Sequence, residues 1–204
     1  MTDNTLLEMC QSAYRKFHST ETALVKIVND MLLAMDKRMC VMLVMLDLSA
    51  AFDTVNHETL LHRMETEYGI TGHALHWIES YFANRTQLVS INIVQSTSKP
   101  LSTGLPQGSV LGPFGFLPYS SPLFSIAQRH GIELHMYADD TQLYLPFPTN
   151  EYDAAVAKMQ SCLQDIVNWM NRNCLKLNSD KTEFLIIGSK INTAKIEMIF
   201  LSYS

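Results

Sequence analysis

Apolar residues return every three or four positions from Ala23 through Leu24, Ile27, Val28, Met31 and Leu32 to Met35. That is the period of an amphipathic helix, and Ser19-Thr20 just before it supplies a cap. The pattern then changes. Val41 to Leu46 is continuously apolar and closes on Asp47, as expected of a short strand covered on both faces. Asn56 predicts the start of a helix carrying Leu60, Leu61 and Met64, and Thr71 the start of a second carrying Leu75, Ile78 and Phe82. From Gln87 to Val94, Val89, Ile91 and Ile93 alternate with Ser90 and Asn92, which predicts one half-exposed strand.

Gly104-Leu105-Pro106-Gln107-Gly108 is a loop by composition. A helix after Ser109 is expected to be poor, because Gly112, Pro113, Gly115 and Pro118 all lower its propensity. Glu133–Met136 and Thr141–Leu145 predict two short strands joined through Tyr137-Ala138-Asp139-Asp140. Asp153–Asn173 reads as an amphipathic helix on Val156, Met159, Leu163, Ile166, Val167 and Met170, and Thr182–Ile187 as a closing strand. Residues 191–204 match no pattern. With no repeat or linker to divide the chain, the expectation is one α+β domain over residues 1–204, with an antiparallel sheet and helices on one face.

Composition narrows the function. A hydrophobic share of 47% is enough for one sizeable core and argues against a solvating tail. The net charge of -5 speaks mildly against a protein whose main task is gripping phosphate backbones. Cys10, Cys40, Cys162 and Cys174 form no CxxC pair and read as free, mostly buried thiols of a reducing compartment. The start MTDNTLLEMC lacks the plan of a signal peptide, and prolines and glycines break the apolar stretch from Val110 to Ile126 as a membrane span. The expectation is an intracellular, soluble chain that is not secreted.

Two acidic sites stand where apolar strands meet loops: Asp47, and the pair Asp139-Asp140. A carboxylate at the edge of a core carries a desolvation cost unless a cation or donors meet it, and no lysine or arginine lies close in sequence to either site. If the strands are neighbours, three carboxylates converge and favour hard divalent cations. Two such ions, about 4 Å apart, clamp the attacking and leaving oxygens of phosphoryl transfer. The other reading is plain turn chemistry, since aspartates bond their own backbone. The histidines are scattered without a ligand pattern, and Trp77 and Trp169 lie on helical stripes as expected of core residues.

Taken in order, four segments resemble the reverse transcriptases of non-LTR (LINE-like) retrotransposons. Leu46-Asp47-Leu48-Ser49-Ala50-Ala51-Phe52-Asp53-Thr54-Val55 is similar to that family's first catalytic motif, and Gly104-Leu105-Pro106-Gln107-Gly108-Ser109-Val110-Leu111-Gly112-Pro113 to its substrate-pocket motif. Tyr137-Ala138-Asp139-Asp140 is similar to its metal-binding hairpin, and Leu177-Asn178-Ser179-Asp180-Lys181-Thr182 to the motif that follows. Upstream, Gln11-Ser12-Ala13-Tyr14-Arg15-Lys16 with His18-Ser19-Thr20 resembles the end of the fingers region, so the likeness covers about residues 11 to 190.

The resemblance implies a polymerase palm with partial fingers. It implies RNA-directed DNA synthesis on an RNA template with a DNA primer and deoxynucleotides, supported by two Mg²⁺ ions or by Mn²⁺. Asp47 and Asp139 would hold the ions, with Asp140 beside them and the Leu48 carbonyl as a further ligand. Phe52 would disfavour a 2′-hydroxyl on the incoming nucleotide; as a bare residue it reads equally as a core aromatic. Gln107 and Gly108 would line the nucleotide pocket, Tyr137 would pack beneath the primer end, and Lys181 would meet pyrophosphate or stay solvated. Arg15 reads as surface charge or a template contact, and Asp53 as a brace for the helix at Asn56. The expected departures are fingers and thumb parts missing at the two ends and a distorted helix after Gly112. They leave an alternative open: an inactive retroelement remnant acting, if at all, as a binding or scaffold module.

Overall fold

The computed structural model describes residues 10–109 and 111–200; the leader reading of residues 1–9 and the motif position Val110 lie outside them. Helix α1 (Thr20–Asp36) starts on a reciprocal cap, in which the Ser19 hydroxyl accepts from the Thr22 N–H and the Thr22 hydroxyl accepts from the Ser19 N–H. It buries Ala23, Ile27, Met31 and Ala34, a narrower stripe than the periodicity implies, and leaves Leu24, Val28 and Leu32 about half exposed. Strand β1 (Cys40–Leu46) explains its own unbroken apolar run. Val41 and Leu43 pack against α1, while Met42, Val44 and Leu46 point into the main core on the other face.

The two-residue strand β2 (Leu48–Ser49) follows, then α2 (His57–Thr66), capped by the Asn56 side chain accepting from the Thr59 N–H at 2.8 Å. Helix α3 (Gly72–Phe82) buries Ile78 and Phe82, but Trp77 is 58% exposed and stacks on Tyr81, which corrects its assignment to the core. The strand expected over residues 87–94 is not continuous. Strand β3 (Thr86–Gln87) pairs with β6 (Lys99–Pro100), and between them β4 (Ser90–Ile91) pairs with β5 (Val94–Gln95). Asn92 turns the chain at φ 54°, a left-handed conformation that asparagine tolerates, so the alternation folds back on itself as a hairpin. Its apolar side chains stand in solvent, Ile93 at 98% exposure.

Helix α4 (Leu111–Ser120) forms in spite of its composition. Pro118 sits in the last turn, where the lost N–H forfeits one bond. Gly115 permits close packing: a Cβ there would lie 2.8 Å from Leu105 Cδ2. Propensity opposes the helix by about 4 kcal/mol for one proline and one glycine. Complete burial of Phe116 and Tyr119 returns about 1.5–3 kcal/mol each, so tertiary packing prevails. A helix therefore forms through Pro118 and ends at Ser120.

Helix α5 (Pro122–Arg129) leads into the hairpin of β7 (Glu133–Tyr137) and β8 (Asp140–Phe147). Then come α6 (Tyr152–Arg172), β9 (Lys176–Leu177), β10 (Glu183–Ile187) and α7 (Lys190–Phe200), the last a helix where no pattern was legible. The main sheet runs β10-β1-β8-β7, all antiparallel, with α2 to α7 contributing to the large core on one face and α1 packed on the other.

A buried polar network ties α2, α4 and α6 together. The Arg63 guanidinium donates to the Tyr119 carbonyl and to Asn173 Oδ1 (2.9 Å), and the Tyr119 hydroxyl donates to the Asn173 carbonyl at 2.6 Å. Cys40 and Cys162 are buried, but Cys174 is exposed and Cys10 half-buried, so only two thiols meet the buried expectation. Among the described residues no helix is long and apolar enough to cross a membrane.

Candidate active site

The register of the two central strands brings the acidic residues to one end of the sheet. Leu46 of β1 pairs with Thr141 of β8, so Asp47 leaves β1 beside the point where Asp140 enters β8. Tyr137 pairs with Asp140 across β7 and β8, which leaves Ala138 and Asp139 as a two-residue turn. Burial, with the negative charge of Asp139 and then Asp47 added, raises the Asp140 carboxyl above the usual carboxylate range. Among the described residues, neither Asp139 nor Asp140 has a hydrogen-bond or ion-pair partner for its carboxylate.

Asp47 is held from the other side. Asn178 donates its side-chain amide to Asp47 Oδ2 at 2.8 Å and its backbone N–H to the Asp47 carbonyl at 2.9 Å. This clamp, absent from the roles read off the sequence, uses the residue that opens the Asn178-to-Thr182 turn. Lys181 lies in the same turn but is exposed, and it does not line the cavity described next.

A cavity of about 510 Å³ opens beside Asp139. Leu48, Ala51 and Phe52 form one wall, Pro106, Gln107 and Gly108 another, and Tyr14 a third. Phe52 both lines this space and stacks on Phe116 of α4 (ring centroids 4.9 Å apart), so its two readings are compatible. Gln107 donates to Asp53 Oδ1 at 2.9 Å. Asp53 therefore braces the pocket loop and not the start of α2, which corrects its expected role. Gly104 is needed where it stands: φ is 95°, and a Cβ would come 2.9 Å from the Asp53 carbonyl oxygen. His57 Nε2 bonds the Gly104 carbonyl at 2.7 Å and its ring stacks on Phe82, which fixes the loop from below.

Tyr137 is half-buried and does not reach the cavity lining; Tyr14 does. Burial, with Asp139 and Tyr137 nearby, raises the Tyr14 hydroxyl above the usual phenol range. Tyr14 was legible only as part of a motif, with no role attached. Among the described residues no three His, Cys, Asp or Glu side chains close into a ready-made metal cage. Mg²⁺ takes hard oxygen ligands, commonly one or two carboxylates together with waters and substrate phosphates. Hard oxygen donors without a basic partner fit such an ion.

A family model described as reverse transcriptase (RNA-dependent DNA polymerase) matches residues 1–203. The chain is 28% identical over 187 residues to the probable RNA-directed DNA polymerase from transposon BS of Drosophila melanogaster, covering 89% of this chain and 20% of that protein. It is also 28% identical over 177 residues to the RNA-directed DNA polymerase from mobile element jockey of the same organism, covering 84% and 19%. It thus spans about a fifth of the length of these relatives. Among solved structures, apo telomerase from Candida tropicalis truncated from its C-terminal domain superposes with a TM-score of 0.65 at 14% identity, covering 87% of this chain and 36% of that one. Telomerase from the same organism in complex with a telomeric RNA fragment gives 0.66 at 12% identity, covering 87% and 30%. These two show the shared α+β, palm-like fold. With the family match over nearly the whole chain and relatives from non-LTR transposons, the chain belongs to the reverse transcriptase family, on its LINE-like side.

Proposed function

We propose that this domain is the catalytic palm of an RNA-directed DNA polymerase that joins deoxynucleotides to a primer 3′-hydroxyl on an RNA template. The observation that carries the reading is that Asp47, Asp139 and Asp140 stand at one end of the sheet, with no basic partner among the described residues, beside a cavity that Asp139 lines together with Phe52 and the Gln107-Gly108 loop.

Asp47 and Asp139 are the residues to hold two Mg²⁺ ions, or Mn²⁺ in their place, with Asp140 and the Leu48 carbonyl adjoining. The ions supply Lewis acidity and charge neutralisation for nucleotidyl transfer. The chain's own part is position and exclusion. Phe52, braced by Phe116, sets the depth available to the sugar. Gln107 and Gly108 bound the base and phosphate side, the loop being pinned by Asp53 and His57. Tyr137 supports the primer end and Lys181 approaches pyrophosphate from the rim. Holding reactants this way removes orientational entropy from the barrier.

The alternative is an inactive retroelement remnant acting as a binding or scaffold module; an expected break in α4 is one of the departures that raise it, and α4 is formed. Primer extension on poly(rA)/oligo(dT) with Mg²⁺ tests the reading. Extension by the wild type and none by Asp139→Ala is the expected result; no extension from a folded wild-type chain overturns it.

A further inference from the structure

The geometry points to Gln11 as the positioning residue of Asp139: its side-chain amide grips the turn that presents this carboxylate to the metal. The inference rests on the metal role given to Asp139 above.

Gln11 is 3% exposed, and a buried amide is retained only where its donors and acceptor are used. Here they are spent on Ala138. Oε1 accepts from the Ala138 N–H at 3.2 Å and Nε2 donates to the Ala138 carbonyl at 3.4 Å, so one side chain engages both polar groups of the residue preceding Asp139. Ala138 stands at φ 59°, a left-handed conformation that a non-glycine residue keeps only when its surroundings impose it. The bond to the Ala138 carbonyl orients the peptide plane that enters Asp139. That plane sets the direction in which the Asp139 side chain leaves the turn.

The grip is itself anchored. The Ser12 N–H donates to the Met136 carbonyl (3.0 Å) and the Met136 N–H to the Cys10 carbonyl (2.8 Å), so Gln11 is held beside Met136 of β7 as an isolated parallel bridge. Gln11 Oε1 also accepts from the Ala13 N–H at 2.9 Å. The next residue, Tyr14, lines the cavity. One amide thereby joins the carboxylate turn to the cavity wall.

The experiment measures Mn²⁺ binding to the 204-residue chain by electron paramagnetic resonance, without nucleotide or primer, for wild type, Gln11→Met, Gln11→Asn and Asp139→Ala. Near-ultraviolet circular dichroism reports folding. Removing a residue that orients a ligand weakens metal binding about tenfold or more. The expected result is that weakening in folded Gln11→Met and Gln11→Asn, with a matching rise in the Mg²⁺ needed for primer extension. A loss of thermal stability with wild-type Mn²⁺ affinity makes Gln11 merely structural and overturns the inference, as does a Gln11→Asn chain that fails to fold. If Asp139→Ala binds Mn²⁺ as wild type does, the metal reading falls and takes this inference with it. Loss in Asp139→Ala without loss in the Gln11 variants sinks the inference alone.

Discussion

Asn178 holds Asp47 at two points, its side-chain amide on Oδ2 at 2.8 Å and its backbone N–H on the carbonyl oxygen at 2.9 Å. One carboxylate oxygen is thus occupied and oriented, while Oδ1 makes no hydrogen bond among the described residues. Asn178→Ala is expected to reduce primer extension by about 10- to 100-fold at limiting Mg²⁺, the scale of losing a partner that orients a metal ligand. Raising Mg²⁺ should recover part of the loss, which rate measurements across a Mg²⁺ titration will read. An Asn178→Ala rate equal to wild type at every Mg²⁺ concentration contradicts the clamp.

Arg63 is 8% exposed; it donates to the Tyr119 carbonyl on α4 and to Asn173 Oδ1 at the end of α6, and pairs with Glu67 at 3.4 Å. Arg63→Met leaves the Tyr119 carbonyl and Asn173 Oδ1 without these donors, each worth about 1–3 kcal/mol when buried. Urea unfolding should show a loss of about 2–4 kcal/mol. Arg63→Lys should recover little, because a single ammonium cannot reproduce the planar fork.

Gly115 faces Leu105 and Leu60, with room for no Cβ unless Leu105 moves. Overpacking costs about 1–3 kcal/mol and the better helix propensity of alanine returns about 1. Gly115→Ala should therefore lose about 1 kcal/mol by urea unfolding. Because Leu105 adjoins Pro106 and Gln107 on the cavity wall, the apparent KM for deoxynucleotides should rise more than kcat falls.

His135 is 2% exposed, bonded to the Ser12 hydroxyl through Nε2 at 3.0 Å, with Nδ1 unpaired among the described residues. Burial, with the positive charge of Lys26 and of His18 added, depresses its pKa below the usual 6.5, while Asp30 opposes the shift. The folded state then binds the proton less readily than the unfolded chain does. Its contribution to stability is present above pH 6.5 and is lost as the pH falls below it toward the depressed folded value. The Tm should drop as the pH falls below 6.5 in the wild type. His135→Gln, which keeps a polar atom for Ser12, should flatten that drop; an unchanged slope contradicts the assignment.

Much of the fold was legible because long apolar periods decide it: α1, α2, α3, α6 and the central strands all lie within a few residues of their expected bounds. The failures have local causes. A period of two describes one strand and a folded hairpin equally well, and only Asn92 hinted at the turn after Ile91. Propensity misjudged α4 because it carries no information about the space that Leu105 and Leu60 need at Gly115. Trp77 reads as part of the helical stripe, yet it is 58% exposed and its ring stacks on Tyr81 of the same helix. At the site, the acidic residues could be named in advance, yet their meeting depends on the β1–β8 register. Gln11 and Asn178 reach partners 127 and 131 residues away, a separation at which no sequence pattern links an amide to its acceptor.

The sheet order β10-β1-β8-β7 has a consequence for how the molecule breathes. Asp47 and Asp140 are set by the two inner strands, whereas the Lys181 turn leads into β10 at the rim and the exposed hairpin has only two-residue ladders. Amide hydrogens of β1 and β8 should exchange only through global unfolding, and those of β10 and the hairpin through local opening at much lower free energy. The carboxylates would then keep their spacing through fluctuations that repeatedly release the rim.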